Sequence, residues 1–274
     1  MRSKNSISIF TAGYGLARKA GLLEWRWFRR SFVAAYFLYK RFYEDSFLSL
    51  IRRMPGLFQN GDILDIGANI GYTACIFASA LTSGSKVYAF EPDGSSYSLL
   101  EDTIRRKKLS VSIEALNLAV GSCDSTVEFW HNKAHSADHR VVTEKFRALR
   151  SDPIETTTVP MTSVDTFVKE RNLEHVSFIK IDVQGYELAV CEGMRSTLER
   201  FPGACICIEY SPESLHELGF APEKVLDFFR VRRYRIYVLS RALIQAAPDN
   251  FAVERLAQKA GYVDLICSRE VLVP

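Results

Sequence analysis

The stretch Asp65-Ile66-Gly67-Ala68-Asn69-Ile70-Gly71-Tyr72-Thr73 joins an apolar run, Ile63 to Ile66, to a segment of helical character, Tyr72 to Leu81. Glycines at a strand-to-helix turn let the backbone approach a ligand closely, and the N–H groups that open the helix point toward it. The next apolar run, Lys86 to Phe90, ends at Glu91, 24 residues beyond Gly67. A carboxylate there can accept both hydrogen bonds of a ribose diol. A pyrophosphate-binding loop prefers glycine at its middle position, but Asn69 stands there, giving G-x-x-x-G. Asp65 and Asn69 offer a carboxylate and an amide, which suit the ammonium and carboxylate of an amino acid. The loop therefore predicts S-adenosylmethionine rather than a nicotinamide dinucleotide.

Outward from the loop, short apolar runs alternate with helical segments, which is the α/β pattern. Further strands are predicted at Val111 to Val120, Phe178 to Val183, Ala204 to Tyr210, Arg235 to Leu239 and Val263 to Cys267, with a short antiparallel piece at Thr126 to Trp130. Helices are predicted at Ser95 to Lys107 and from Val164, Leu188, Pro222 and Asn250. The polar stretch His131 to Thr157 reads as an insertion. Residues 59–274 are expected to form one domain.

The chain has 274 residues, 47% of them hydrophobic and 24% charged, and a formal net charge of +3. That balance excludes a disordered or low-complexity chain. The charge is unevenly placed: residues 1–60 hold 11 Lys and Arg against 3 Asp and Glu, leaving 24 against 29 for the rest. Residues 1–58 form a basic, aromatic segment. From Trp25 to Met54 neither Gly nor Pro occurs, and Trp25, Phe28, Phe32, Tyr36, Tyr39, Tyr43, Phe47, Leu50 and Met54 recur at steps of three and four. That is a helical stripe ending at Pro55-Gly56. It either packs on the body or serves as a dimer contact or an interfacial, membrane-facing helix. No run reaches the roughly 18 apolar residues a membrane span needs, and Ser6 to Ala17 makes a poor signal sequence, so the chain reads as cytoplasmic. Its six cysteines show no zinc spacing and are expected to be reduced and buried.

Asp65 to Thr73, Phe90-Glu91-Pro92, Asn117 to Gly121, Ile179 to Glu187 and Ile208-Glu209 occur in an order that resembles the FkbM family of methyltransferases. The resemblance covers roughly residues 60–212. It implies a class I methyltransferase fold, Rossmann-like, with a mostly parallel seven-stranded sheet and here an N-terminal helical extension. It also implies methyl transfer from S-adenosylmethionine, usually to a hydroxyl of a sugar or natural product. The cofactor residues so implied are Asp65, Gly67, Ala68, Asn69, Gly71, Tyr72, Thr73, Glu91, Pro92 and Ala119. Gln184 departs from the family, which more often has Glu there, and removes a charge beside the site.

A hydroxyl acceptor must lose its proton around the transition state. Working groups in an open α/β sheet lie at the carboxyl ends of strands. Asp182, ending the fourth predicted strand, and Glu209, ending the fifth, are therefore expected beside the acceptor, as catalytic groups or as oxygen ligands of Mg²⁺. Asp182 has an alternative as a turn acid accepting backbone N–H bonds around Gly185. Glu187 reads as a helix-capping acid as readily as a catalytic one. Lys180 is expected on the opposite strand face, as a structural pair. His131, His135 and His139 recur at steps of four, so a helix would align them; His135 and His139 are candidate general bases on a substrate-facing loop. A small-molecule or glycan hydroxyl is the expected acceptor. RNA methylation through the basic arm is the alternative enzyme reading, although no RNA-binding motif appears. A non-catalytic cofactor-binding or membrane-recruited subunit is the third.

Overall fold

The computed structural model describes residues 26–41, 46–131, 139–150, 154–240, 244–247 and 249–272. The strands in chain order are β1 (Asp62–Ile66), β2 (Val87–Phe90), β3 (Ile113–Leu116), β4 (Ala119–Gly121), β5 (Ser125–Trp130), β6 (Arg140–Val141), β7 (Thr156–Ser163), β8 (Val176–Ile181), β9 (Cys205–Tyr210), β10 (Arg235–Leu239), β11 (Ile244–Ala246) and β12 (Val263–Ser268). The main sheet runs β11-β10-β12-β9-β8-β1-β2-β3. From β9 through β3 all neighbours are parallel, whereas β12 pairs antiparallel with both β9 and β10. The seven expected strands are all present; β11 adds an eighth at the edge, where it pairs antiparallel with β10.

The chain lays β2 and β3 to one side of β1 and later β8 and β9 to the other. The point where strand order reverses is where ligands bind in open α/β sheets. Register sets the strand ends level: Ile66 faces Phe90 on β2 and Ile181 on β8, so Gly67, Glu91 and Asp182 emerge along one edge.

Two sequence expectations change here. The predicted strand Val111 to Val120 divides at Asn117, whose Nδ2 donates to the carbonyls of Glu91 and Pro92 at 2.8 and 3.1 Å. Its first half joins the main sheet and its second half a separate sheet of order β4-β7-β5-β6. The polar insertion carries β6, a short helix Glu144–Ala148, and the start of β7. Its threonine-rich composition hid β7, which buries only alternate residues, Val159, Met161 and Ser163.

Phe58, Phe77 and Phe178 are fully buried on one face of the main sheet, with ring centroids 4.4 to 5.7 Å apart. Each contributes about 2–3 kcal/mol of apolar burial. Phe58 belongs to the segment assigned by sequence to the N-terminal arm, so that arm ends inside the core of the body. Helix α1 (Arg26–Tyr39) lies over the glycine loop. Val33 is buried with Ile70 and Leu99, and the Phe37 ring meets Tyr72 edge-on at 5.1 Å. Trp27 and Leu38 remain exposed on the outer face of α1. Helix α2 (Phe47–Arg53) follows, and Phe47 meets Phe77 at 5.2 Å. Among the described residues no helix is long and apolar enough to cross a membrane. All six cysteines are free, four of them buried.

Candidate functional site

The loop after β1 is locked before it can meet any ligand. Gly67 and Ala68 both donate backbone N–H to the Phe90 carbonyl, at 3.0 and 2.9 Å. Gly67 takes φ +81°, and a Cβ there would run into the carbonyl oxygen of Asp182. Asn69 is also left-handed, at φ +50°, a region that asparagine tolerates better than most residues. Its N–H donates to Glu91 Oε2 at 2.8 Å. Gly71 opens helix α3 (Tyr72–Ala78) at φ +88°.

Glu91 is 6% exposed, and its second oxygen takes the Asp93 N–H at 2.9 Å. Burial pushes the Glu91 carboxyl up to about 8, against the pull of those two N–H donors. Asp93 caps helix α4 (Gly94–Arg106) by accepting from Ser96 N at 2.7 Å.

Asp65 lies beneath the loop rather than on the cavity wall. It is 0% exposed, accepting from the Thr73 hydroxyl at 2.6 Å and facing Lys180 Nζ at 3.3 Å. Lys180 is a structural pair, as expected, but on the face opposite to the one expected. Residues two apart on a strand share a face, and Lys180 Nζ points toward the site, donating to the Gly67 carbonyl at 2.8 Å and lying 3.5 Å from Asp182 Oδ2. Burial opposes its charge, but Asp65 and Asp182 outweigh burial and hold its pKa above the ordinary lysine value.

In the turn after β8 it is Glu187, not Asp182, that accepts the main-chain N–H groups. Glu187 Oε1 accepts the N–H groups of Val183 and Gly185, at 3.2 and 3.0 Å. Burial pushes its carboxyl up to about 7. Because Glu187 closes the turn, Asp182 does not have to, and it lines the cavity. Gln184 Nε2 donates to Asp182 Oδ1 at 3.0 Å and to Glu209 Oε1 at 3.1 Å. Burial first, and then the charges of Asp182 and Asp264, raise the Glu209 carboxyl well above its usual range.

This donor set does not fit the expected Mg²⁺. The facing oxygens of Asp182 and Glu209 already accept from an amide N–H₂, whose hydrogens repel a cation. Among the described residues no group of three or more His, Cys, Asp and Glu is arranged to hold a metal.

The histidines also differ from expectation. His131 follows β5 and His139 precedes β6, so they meet across paired strands instead of along a helix, with ring centroids 5.6 Å apart. Both flank Asp93, with His131 Nδ1 at 2.6 Å and His139 Nε2 at 3.9 Å. Burial would raise the Asp93 carboxyl, but hydrogen bonds from Ser95 and Ser96 and the His139 ring outweigh it and hold it low. His139 lines the cavity; His135 lies outside the described residues.

The cavity measures about 460 Å³, within the range of small-molecule sites. Gly67, Ala68, Asn69, Tyr72, Thr73, Glu91, Pro92 and Ala119 line it with Asp182 and Glu209, whereas Asp65 and Gly71 act from behind. Tyr36 and Lys40 also line it, as do Phe129, Tyr186, Tyr262 and Asp264. Sequence reasoning missed these. Asp264 arrives because β12 pairs with β9 in a register that sets it opposite Glu209, and no local motif announces such a pairing.

The sequence profile of the methyltransferase FkbM domain matches residues 65–236. The hexuronic acid methyltransferase AglP of Haloferax volcanii is 28% identical over 152 residues, 55% of this chain and 57% of that protein. The 2-O-methyltransferase NoeI of Sinorhizobium fredii is 27% identical over 193 residues, 66% of this chain and 77% of that one. The chain thus spans little more than half the length of AglP. A methyltransferase FkbM from Methylobacillus flagellatus has the same fold at a TM-score of 0.51 and 16% identity, covering 80% of this chain and 47% of that structure. With the domain match extending from the glycine loop to the start of β10, the chain belongs to the FkbM family of methyltransferases.

Proposed function

We propose that the protein transfers a methyl group from S-adenosylmethionine to a hydroxyl of a sugar or glycan. One observation carries this reading: Asp182 is tied to the glycine loop. Its N–H bonds to the Ile66 carbonyl at 3.1 Å, and Lys180 spans Asp182 and the Gly67 carbonyl. A proton acceptor is thereby held at fixed distance from the loop that holds the cofactor.

The residues present fit that cofactor. Glu91 offers oxygens to a ribose diol. Gly67, Ala68 and Asn69, with Tyr72 and Thr73, serve the amino-acid end, and Pro92 and Ala119 flank the nucleoside. When bound, S-adenosylmethionine supplies an electrophilic methyl carbon on a sulfonium that leaves as a neutral thioether. Asp182 takes the hydroxyl proton as the new carbon–oxygen bond forms. The Asp182 carboxylate, lining the cleft, favours a cation there before transfer. His139, held against Asp93, orders the wall of the second sheet.

AglP is named for a hexuronic acid and NoeI for 2-O transfer, which supports an oxygen acceptor on a sugar. The test is to incubate the protein with methyl-labelled S-adenosylmethionine and a panel of hexose, deoxyhexose and hexuronic acid glycosides. Label is expected in an acid-stable methyl ether. Labelling of RNA and none of the glycosides would overturn the proposal.

A further inference from the structure

Gln184 occupies a costly backbone position. It adopts φ +54° and is followed by Gly185 at φ +100°, two left-handed residues in succession. A non-glycine residue there costs about 1–2 kcal/mol. Gly185 is required, since a Cβ would run into the Ser214 carbonyl oxygen. Gln184 is not required by that crowding, and strain held at a site is a reason to look for function.

Its side chain supplies one. The amide nitrogen has two hydrogens, and both go to acids on different strands, Asp182 after β8 and Glu209 on β9. An ionised Asp182 can only accept, so the amide nitrogen faces it, and the same nitrogen reaches Glu209 Oε1, an oxygen that accepts while the other carboxyl oxygen carries the proton. The two acids have unlike surroundings. Asp182 has the Lys180 ammonium 3.5 Å from its other oxygen. Glu209 sits opposite Asp264 in register, with Asp182 and Glu187 adding negative charge and Lys40 opposing it. A carboxylate at position 184 would set a second negative charge against Asp182, which a cation or an extra proton would have to offset.

We propose that Gln184 is a positioning residue: its amide holds Asp182 and Glu209 apart in unlike roles, Asp182 as proton acceptor and Glu209 as hydrogen-bond donor to the acceptor's oxygens. The proposal rests on the sugar O-methyltransferase reading. It extends that reading by assigning the bridge a role that a metal ion would otherwise fill.

The first test needs no acceptor. In ¹⁵N-labelled protein, the two Gln184 side-chain amide protons are identified by their loss in Gln184→Met. Asp182→Asn is expected to shift one and Glu209→Gln the other, by more than any exposed amide shifts. The second test is kinetic, on any glycoside that the wild type methylates. Gln184→Met and Gln184→Glu are expected to lower kcat about tenfold or more, with calorimetric affinity for S-adenosylmethionine and thermal midpoint unchanged. Adding Glu209→Gln to Gln184→Met should cost little further, because residues acting as a unit are non-additive. Amide protons that ignore both acid substitutions, or wild-type kcat in Gln184→Met, would overturn the proposal. Absence of methyl transfer by the wild type would instead remove the reading on which it rests.

Discussion

Glu187 accepts the N–H of Gly185 at 3.0 Å and in doing so releases Asp182 from the turn it would otherwise have to close. Two acids five residues apart thus divide the work of one turn. Glu187 is 1% exposed and structural, while Asp182 faces the cavity.

That division makes Asp182→Asn informative. The substitution keeps the side chain's shape and the main-chain bond to Ile66 but removes the proposed proton acceptor. S-adenosylmethionine affinity, measured by calorimetry, should stay within about twofold, while turnover falls about 10²–10⁴-fold. Retained turnover would take Asp182 out of the proton-transfer role.

Glu91→Ala should behave in the opposite way. Removing the oxygens proposed to meet the ribose diol should forfeit two hydrogen bonds, about 1–3 kcal/mol together, or roughly 5- to 150-fold in cofactor affinity. The same calorimetry reads this, with NAD as a control that is expected not to bind.

Lys180→Met should unfold the protein more readily. Asp65, fully buried, would then lose its cation, and removing one partner of a buried ion pair costs about 3–5 kcal/mol. Urea denaturation measures the loss. A change under about 1 kcal/mol would show that the network is not structural.

The pH dependence of stability tests Glu187. Burial raises its folded pKa to about 7 from an ordinary 4.5, so the folded state binds the proton more tightly than the unfolded chain. The resulting stability is complete below about pH 4.5 and is lost as pH rises toward 7, by about 1.4 kcal/mol per pH unit for one proton. Glu187→Gln retains an oxygen acceptor and cannot ionise. Its unfolding free energy should fall less than that of the wild type across this window.

Chelation supplies a further check. With an amide bridging the two acids, methyl transfer should be unaffected by EDTA, and added Mg²⁺ should not increase it. A requirement for Mg²⁺ would show that Gln184 yields its place when the acceptor binds.

The glycine loop, Glu91 and Asp182 were legible because each is a strand-end feature, set by the apolar run before it and the turn after it. The same locality made Lys180 misleading: its identity was plain, but its face was misjudged although it lies two residues from Asp182 on one strand. His131 and His139 were grouped by helical spacing, yet they meet around Asp93 because β5 and β6 pair. The strand β7 was hidden because alternate burial among threonines leaves little contrast in hydrophobicity.

The chain's own order of residues thus specified the α/β alternation, the glycine loop and the acids at the strand ends, since hydrophobic periodicity and turn chemistry act over a few residues. Pairing across the sheet specified the rest. It set Asp264 opposite Glu209, brought Lys180 to Asp65, and placed Gln184 between two strands, while side-chain packing laid helix α1 over the loop. Those contacts join residues from 2 to more than 100 positions apart. Their geometry depends on register and packing, which no short window of sequence encodes.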